Sequence, residues 1–344
     1  MRICISGLAL VSMVAIAAPA GATRLAGEFM GLGAGARALG MGGAFAAVAD
    51  DASAVYWNPA GMAGIQKRQA LAMHAEQFGD LVNYNFGAYV QPTTWLDPAR
   101  KPAFGVALIH LGSPEQAITN DLIYNDLNGN GDFDPDEGEV LTDKNGVPYQ
   151  NVSLKSESNN SFAGFGSIAI ETSHGKIGGT LKLIYEDYIA GETDMGIGID
   201  LGYLREDFLT PRLSVGAKLQ DATGTYLSWS TGTNEFIVPM LKVGSAYRIV
   251  STGFKGSLLL AVDADMYFDD RQQASQFWTE TFSADLHLGA ELNFQDHVMI
   301  RGGLDAENPT AGAGVYFGMF GLDYAYLNHD AFEATHRVSI LASF

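Results

Sequence analysis

Residues 126–137 carry the side chains whose types and spacing could best bind a metal ion. They match the calcium-loop pattern D-x-[DN]-x-[DN]-G-x5-E over its full length. Calcium takes about six to eight oxygen ligands, including carboxylates, side-chain amides and backbone carbonyls. The sequence therefore predicts one structural Ca²⁺ site, with ligands from Asp126, Asn128, Asn130, Asp132 (backbone carbonyl), Asp134 (directly or through water) and a bidentate Glu137.

The same stretch has a simpler explanation as a solvated acidic loop that binds nothing. Residues 115–143 contain nine carboxylates and neither Lys nor Arg, so their charges repel one another. Neither flank of the calcium pattern has the periodicity of an amphipathic helix, so we expect a lone calcium loop rather than an EF-hand pair. In an outer loop it would bind calcium at about 10⁻⁴ to 10⁻³ M, as extracellular modules do.

The rest of the chain nominates no catalytic residue. It contains neither H-E-x-x-H nor G-x-S-x-G, and its glycine-rich stretches lack the spacing and the lysine of phosphate-binding loops. We therefore expect a protein that is not an enzyme. The formal net charge of −19 argues against nucleic acid as a partner, because phosphate binding needs clustered Lys and Arg.

Residues 1–22 have the pattern of a cleaved signal peptide. Arg2 precedes an apolar run from Ile5 to Ala17, which is followed by small residues suited to cleavage. After Thr23 there is no run of about 20 apolar residues that could cross a membrane as a helix. Cys4 is the sole cysteine and lies in the signal, so we expect a mature protein without disulfides.

From residue 67 onward, apolar and polar residues alternate in stretches of about ten residues. A period of two places the two sets on opposite faces of a strand, as in membrane barrels whose lipid-facing and lumen-facing side chains alternate. The pattern predicts fourteen strands, at 67–77, 81–91, 101–111, 160–171, 175–188, 193–204, 211–221, 236–249, 253–268, 281–294, 297–305, 309–318, 320–329 and 333–344.

The predicted connections favour the same architecture, because bacterial barrels have short turns at one end and longer loops at the other. The odd connections include the long ones, at 112–159, 222–235 and 269–280. Apart from 92–100, the even connections are tight. We therefore expect an all-β protein, with residues 67–344 forming a 14-stranded antiparallel transmembrane β-barrel and with 112–159 as its long outer loop.

The segment before the strands, residues 23–66, is rich in Gly and Ala. The predicted inward faces carry nine basic and seven acidic residues, and this balance favours charge pairing in a filled lumen over an ion-selective pore. We expect residues 23–66 to form a short helical, Gly-rich hatch in the lumen. It should originate on the periplasmic side and contact the wall through Arg37, Asp50 and Asp51. The inward faces should be mostly polar, with scattered Ile184, Leu259, Met299 and Leu327.

Residues 35–45, GARALGMGGAF, and 48–63, VADDASAVYWNPAGMA, closely resemble the N-terminal signature of the PorV/PorQ family. They resemble more loosely the hatch of FadL-type fatty-acid transporters, which shares the Asn-Pro-Ala turn. The resemblance implies a fourteen-stranded barrel ending in an aromatic residue, as this chain does at Phe344. The residues of the hatch motif are Gly35, Arg37, Gly40, Gly42, Gly43, Asp50, Asp51, Asn58, Pro59, Ala60 and Gly61.

Two functions follow from the resemblance. A PorV-like protein would take part in type IX-like protein secretion or surface assembly, with secretion-system proteins as partners. A FadL-like protein would be a channel for passive uptake of hydrophobic small molecules. The mostly polar inward faces favour the first function, since a FadL-like transporter needs an apolar pocket and a lateral opening. Both imply export to the outer membrane of a Gram-negative cell, with the lipid bilayer and the barrel-assembly machinery as partners.

The calcium loop leads to a direct prediction. We expect isothermal calorimetry of the purified barrel to show calcium binding at millimolar concentrations. The bound calcium should order the loop and have no catalytic role. A flat titration over that range would mean that residues 126–137 are only an acidic loop.

Overall fold

The structure is a computed structural model of the chain. The structure describes residues 27–77, 81–94, 98–117, 122–124, 127, 136, 138–143, 145, 148, 156–188, 191–251, 255–269, 271–328 and 334–344.

Strands dominate the described residues. In chain order they are β1 Gln69–Gln77, β2 Val82–Pro92, β3 Ala103–Gly112, β4 Gln116–Ala117, β5 Leu122–Tyr124, β6 Leu141–Asp143, β7 Ser156–Glu157, β8 Asn160–Thr172, β9 Gly175–Tyr188, β10 Glu192–Arg205, β11 Leu213–Gln220, β12 Thr225–Trp229, β13 Asn234–Ile237, β14 Met240–Ser251, β15 Gly256–Tyr267, β16 Phe277–Thr279, β17 Phe282–Phe294, β18 Val298–Asp305, β19 Asn308–Phe317, β20 Phe320–Leu327 and β21 Thr335–Ser343.

The wall is a closed ring of antiparallel strands, because β21 pairs with β1, with Leu341 opposite Leu71. Two neighbouring wall strands are each divided into two segments. The first consists of β11 and β12, which both pair with β10. The second consists of β13 and β14, of which β13 pairs with β12 and β14 pairs with β11. The short β4 to β7 pair only among themselves, and β16 adds to the end of β17. Counted in this way, the described residues form a barrel of fourteen antiparallel strands, which confirms the predicted fold class.

Side chains alternate between the outer and the lumen face of each wall strand. On β17, Leu286 and Leu288 are 40% and 45% exposed, whereas the intervening His287 is 8% exposed. Backbone polar groups in a bilayer must be satisfied within the protein, and a closed barrel with an apolar outer face meets that requirement. Large apolar side chains continue around the outer face, including Val106, Leu108, Leu181, Leu183, Ile199, Val262, Ile300, Leu322 and Ile340.

The strand connections are long at one end of the barrel and short at the other, and we call these the long-loop end and the short-turn end. The long-loop end carries residues 113–159 and 268–281, and the short-turn end carries 173–174 and 318–319. The predicted loop 222–235 needs correction, because β12 and β13 fill much of it as a hairpin that extends the wall. The alternation is interrupted just before it, where Asp221 and Gly224 have φ angles of 52° and 72°.

The hatch lies in the lumen and contains two one-turn α-helices, α1 Ala36–Leu39 and α2 Ala54–Trp57. Two 3₁₀ helices, Glu28–Leu32 and Pro59–Gly64, accompany them. None of the helices in the described part of the chain is long and apolar enough to cross a membrane.

The path of the hatch differs from the predicted one. Gly27 lies beside Ile184 and Ile237 in the long-loop half of the lumen, whereas Gly64 lies beside Lys176 near the short-turn end. The described hatch therefore starts in the long-loop half and ends at the short-turn end, where β1 begins. Loop lengths fix the end at which β1 starts, but they say nothing about where the preceding segment begins.

The lumen face is also different from the predicted one, because it has two unlike sectors. On β9 to β21 the buried inward side chains include many ionised groups, such as Lys182, Asp200, Lys242, Asp263 and Arg301. On β1, β2, β3 and β8 they are largely apolar: Leu71, Met73, Ala75, Tyr84, Phe86, Ala88, Val90, Ala107, Ile109, Ala163 and Phe165. The prediction of mostly polar inward faces was therefore wrong for this quarter of the wall.

The apolar outer face can be tested with Leu288→Arg, which places a charge in the middle of β17. We expect this change to lower the free energy of unfolding in lipid vesicles by about 2–4 kcal/mol, because an arginine near the bilayer midplane loses hydration. Phe282→Arg, at the long-loop end of the same strand, should cost about 0–1 kcal/mol. Equal costs in denaturant titrations would contradict the assignment of this face to lipid.

Candidate functional site

The candidate site is the hatch together with the wall that it contacts. Its last turn is built by the sequence Asn58-Pro59-Ala60-Gly61. Proline is suited to the first turn of a helix, and the Asn58 side chain caps that turn by accepting a hydrogen bond from the Ala60 N–H (3.2 Å). The Asn58 amide also donates to the carbonyls of Ala46 (2.8 Å) and Tyr203 (2.9 Å), so one side chain joins two parts of the hatch to β10.

Arg37 joins the hatch to the wall through charge. Its guanidinium donates to both carboxylate oxygens of Glu291 on β17 (Nε to Oε2 2.8 Å, Nη2 to Oε1 3.0 Å). Its Nη1 donates to Asp50 (2.5 Å) and Asp51 (3.3 Å) of the hatch. Burial acts to lower the pKa of Arg37, but the three carboxylates outweigh burial and raise the pKa well above its ordinary value. Arg37 therefore stays charged and keeps its carboxylate partners.

The Arg37 contact continues into a network within the wall. Arg301 of β18 donates to Glu291 (2.7 Å) and to Asp323 of β20 (2.6 Å), and Tyr316 of β19 donates to the other Asp323 oxygen (2.7 Å). Two arginines thus share Glu291, and four adjacent wall strands are joined. Such buried ion pairs cost little only when every charged group keeps a partner.

Asp51 has a second role inside the hatch. Burial raises the pKa of Asp51, and the nearby Arg37 opposes that rise. Its Oδ1 accepts hydrogen bonds from the N–H (2.9 Å) and the hydroxyl (2.5 Å) of Ser53, just before α2. The carboxylate therefore fixes the start of α2 as well as the position of Arg37.

Backbone groups of the hatch are also bound by wall side chains. Asp263 of β15 accepts hydrogen bonds from the N–H groups of Phe45 (2.8 Å) and Ala46 (2.7 Å). Ser339 of β21 accepts one from Ala36 (2.8 Å). The wall therefore satisfies backbone N–H groups of the hatch that would otherwise be buried without a partner.

Glycines on the inward face let the hatch backbone lie directly on the wall. A Cβ atom at Gly289 would lie 2.5 Å from the Met41 carbonyl oxygen, and one at Gly303 would lie 2.5 Å from the Gly42 nitrogen. A Cβ at Gly216 would overlap the Ala46 carbonyl. Any larger residue at these wall positions would push the hatch away.

Two aromatic residues of α2 form the centre of the hatch. Tyr56 packs edge-on against Phe86 and Phe165 of the apolar sector, with ring centroids 6.4 Å and 6.3 Å apart. Trp57 donates its indole N–H to the Ala34 carbonyl (2.6 Å). On the charged side of the lumen, Lys218 lies 5.2 Å from the Tyr56 ring and Lys242 lies 5.4 Å from the Trp57 ring. The helix thus bridges the two sectors.

Above the hatch, on its long-loop side, lies a cavity of about 950 Å³, which we call the chamber. Its floor is formed by the hatch. Its side wall is formed by the long-loop parts of β11 to β15 and the segment after β15, together with His287 of β17 and Asp305 of β18. The apolar and aromatic lining residues are Met30, Leu32, Leu39, Tyr56, Trp57, Phe236, Ile237, Val238, Met240 and Tyr267. The alternation of single strands could not reveal this chamber, because its lining comes from segments that are distant in sequence.

Beside the chamber the hydrogen-bond ladder of the wall is interrupted. β10 pairs with β11 through residues 201–205 and with β12 through 194–197, so residues 198–200 have no regular ladder partners on that side. Between β11–β12 and β13–β14, residues 221–224 and 238–239 likewise have no regular ladder partners. A hydrogen bond from Ala222 to the Ile199 carbonyl (2.7 Å) still crosses the gap.

The structure places all residues of the hatch motif in the lumen, and it brings Arg37, Asp50 and Asp51 together. Asp50 and Asp51 contact Arg37 of the hatch itself, and Asp50 also lies 3.9 Å from Arg248 of β14. The six predicted calcium ligands, Asp126, Asn128, Asn130, Asp132, Asp134 and Glu137, lie outside the described residues. Among the residues that are described, no group of three or more His, Cys, Asp or Glu could hold a metal ion.

Comparison with known proteins agrees with this geometry. Residues 7–94 match the model of an uncharacterised protein family, UPF0164, which covers the hatch and the first two strands. No curated protein matches the chain.

Several solved structures resemble the whole barrel. The Pseudomonas putida toluene transporter TodX matches with a TM-score of 0.58 and 13% identity, covering 91% of this chain and 99% of TodX. The Ralstonia pickettii toluene transporter TbuX matches with a TM-score of 0.55 and 14% identity, covering 91% and 98%. A FadL homologue from Pseudomonas aeruginosa matches with a TM-score of 0.50 and 12% identity, covering 90% and 97%. At these identities the likeness shows the fold alone: the chain has the barrel fold of these FadL-like structures.

The Arg37 contact predicts how firmly the hatch is held. Arg37→Gln leaves Asp51 without its cation, leaves Asp50 with only the more distant Arg248 and removes one partner of Glu291. Breaking a buried pair costs about 3–5 kcal/mol. We expect larger or more frequent ionic currents in planar bilayers, together with a lower melting temperature.

Arg248→Gln is the matched control, since the Arg248 side chain is 42% exposed and lies 3.9 Å from Asp50. Its currents should equal those of the unaltered protein. If Arg37→Gln also gave unaltered currents and melting, Arg37 would have no part in seating the hatch.

Proposed function

We propose that this protein is a non-enzymatic channel of the outer membrane for passive uptake of hydrophobic small molecules. The observation that carries the proposal is the chamber, a cavity of about 950 Å³ above a closed hatch, whose lining combines apolar and aromatic side chains with charged ones. Small-molecule sites are commonly clefts of about 300–1,000 Å³ with such a lining and a few polar groups.

The charges that line the chamber are mostly paired and so do not oppose an apolar ligand. The Lys218 ammonium lies 3.1 Å from Asp200 and donates to the Tyr56 carbonyl (2.7 Å). The Lys242 ammonium lies 2.6 Å from Asp265. Both ammonium groups are therefore neutralised by carboxylates of the wall. A ligand that entered from the long-loop end would therefore meet the rings of Tyr56 and Trp57.

The interrupted ladder at residues 221–224 supports the same proposal. A channel for apolar compounds gains from an exit that avoids the aqueous phase, and this part of the wall borders the chamber. Fewer regular hydrogen bonds hold the strands together there than elsewhere along β10. Movement of the hatch would open a second route toward the short-turn end.

The secretion or surface-assembly function predicted from the PorV/PorQ resemblance remains the second candidate. The residues that carry the resemblance are inside the lumen, so they bear on the hatch rather than on any partner. A secretion role would require the outer loops to bind other proteins, and affinity purification through a tagged outer loop would test it. Recovery of lipid alone would count heavily against that role. Calcium in residues 126–137 is a separate proposal, which concerns the order of the outer loop.

The chamber predicts saturable binding of small aromatic compounds. With Trp95, Trp229 and Trp278 replaced by Phe, Trp57 is the sole tryptophan, and we expect bromobenzene to quench its fluorescence saturably in lipid nanodiscs. Ile237→Glu adds an unpaired charge to the lining and removes an apolar contact of about 1.5–3 kcal/mol, so binding should weaken roughly tenfold or more.

Ile237→Leu keeps the volume and the apolar character and serves as the control, with binding close to that of the unaltered chamber. Quenching that rises linearly with bromobenzene and is equal in all three proteins would reflect partition into lipid. That result would rule out a binding chamber.

A further inference from the structure

Four buried polar side chains in one patch of the lumen wall each have a polar atom without a hydrogen-bond partner. They are Gln77 Nε2, Tyr84 OH, Thr335 Oγ1 and Arg337 Nε. All four side chains are at most 2% exposed. Buried polar groups are nearly always paired, so each orphan group calls for an explanation such as a bound ion or water.

Strand pairing places the four residues side by side. Ala75 of β1 lies opposite Arg337 of β21 on one side and opposite Tyr84 of β2 on the other. Gln77 is two residues from Ala75, and Thr335 is two residues from Arg337, so these two occupy the next row toward the long-loop end. The Arg337 guanidinium reaches over Ala75 to within 5.5 Å of the Tyr84 ring centre.

Arg337 differs from the other buried cations of the lumen. Arg37, Lys182, Lys218, Lys242 and Arg301 each lie within salt-bridge distance of at least one carboxylate. In the part of the chain that the structure describes, no carboxylate lies within 4 Å of Arg337; its one hydrogen bond is from Nη1 to the Leu32 carbonyl of the hatch (2.5 Å). A buried charge without a counter-charge is strongly unfavourable.

The orphan atoms have a common chemical character. Arg337 Nε and Gln77 Nε2 can only donate hydrogen bonds, and the hydroxyls of Tyr84 and Thr335 can donate as well. The residues beside Arg337 in its row, Ala75 and Ala325, are small and fully buried. A cation surrounded by free donors and small side chains suits an anion that accepts several hydrogen bonds.

We propose that Arg337, Tyr84, Gln77 and Thr335 form a binding site for a small inorganic anion of halide size in the lumen wall. The anion supplies the counter-charge of Arg337 and accepts the orphan donors. Because Arg337 also binds the Leu32 carbonyl, the anion stabilises the attachment of the hatch to β21. The site lies outside the residues that line the chamber, and the proposal does not depend on the channel function.

Bromide is a suitable probe, because its anomalous scattering identifies it directly. We expect crystals of the full chain grown in sodium bromide to show an anomalous peak within hydrogen-bonding distance of Arg337 Nε. Crystals grown in sodium chloride should show density at the same place without that signal. Density equal in both salts and without an anomalous peak would identify water and overturn the proposal.

A measurement in solution provides a second test. At constant ionic strength, with gluconate as the replaced anion, the melting temperature should rise with the logarithm of the bromide concentration, since a ligand that binds only the folded state stabilises it. Tyr84→Phe and Arg337→Gln should flatten this rise. Tyr226→Phe and Arg248→Gln, matched substitutions at exposed positions, should keep it. The same slope in all five proteins would overturn the proposal. If Arg337→Gln folds poorly, Tyr84→Phe alone decides, and an unchanged slope in that variant would overturn the proposal.

Discussion

Neutralisation of buried charge is the constraint on which the lumen depends. A barrel of fourteen strands whose inward faces carry ionised groups must pair those groups or fill the space around them with water. Here Glu291 is shared by Arg301 of the wall and Arg37 of the hatch, at 2.7 Å and 2.8 Å. Without the hatch, Glu291 would keep only Arg301 as a cation. Asp263 would lose the two hydrogen bonds that it accepts from backbone N–H groups. The hatch is therefore part of the electrostatic structure of the wall.

The two sectors of the lumen explain why the hatch has one arrangement. Tyr56 packs against Phe86 and Phe165 on the apolar side, while its carbonyl accepts a hydrogen bond from Lys218 on the charged side. A rotation of the hatch about the barrel axis would bring α2 against ionised side chains and would bring Arg37 against aromatic rings. Both changes are unfavourable, so the asymmetry of the wall selects the orientation of the hatch.

The sequence allowed the strands to be predicted better than the lumen. Alternation with a period of two and the sorting of loop lengths gave the fourteen strands, because both signals are local. The same signals also led to an error: residues 222–235 were predicted to be a loop, because the positive φ angles at Asp221 and Gly224 interrupt the alternation just before β12 and β13. The pairing of Arg37 with Glu291, 254 residues apart, has no local signal. The apolar sector has no local signal either. On β2 the apolar residues face the lumen, as Tyr84, Phe86 and Val90 do, whereas the outward residues include Asn83, Asn85 and Gln91. In β2, the apolar set faces the lumen, the reverse of the usual barrel rule, and sequence alone could not say which face was which.

The residues that seat the hatch also form the floor of the chamber, and this bears on how the hatch could respond to a ligand. A ligand shifts a conformational equilibrium only through contacts that differ between the two states. Lys218 and Lys242 contact the rings of Tyr56 and Trp57, which line the chamber, and Lys218 also binds the Tyr56 backbone. A molecule that packed on these rings would compete with the two ammonium groups for the same aromatic faces. The ion pairs of Arg37 are made to Glu291, Asp50 and Asp51 and involve neither ring, so a ligand on the rings would not compete for them. Occupation of the chamber would thus weaken the attachment of α2 while α1 stayed bound, so a ligand would favour a local shift of the hatch over its release from the barrel.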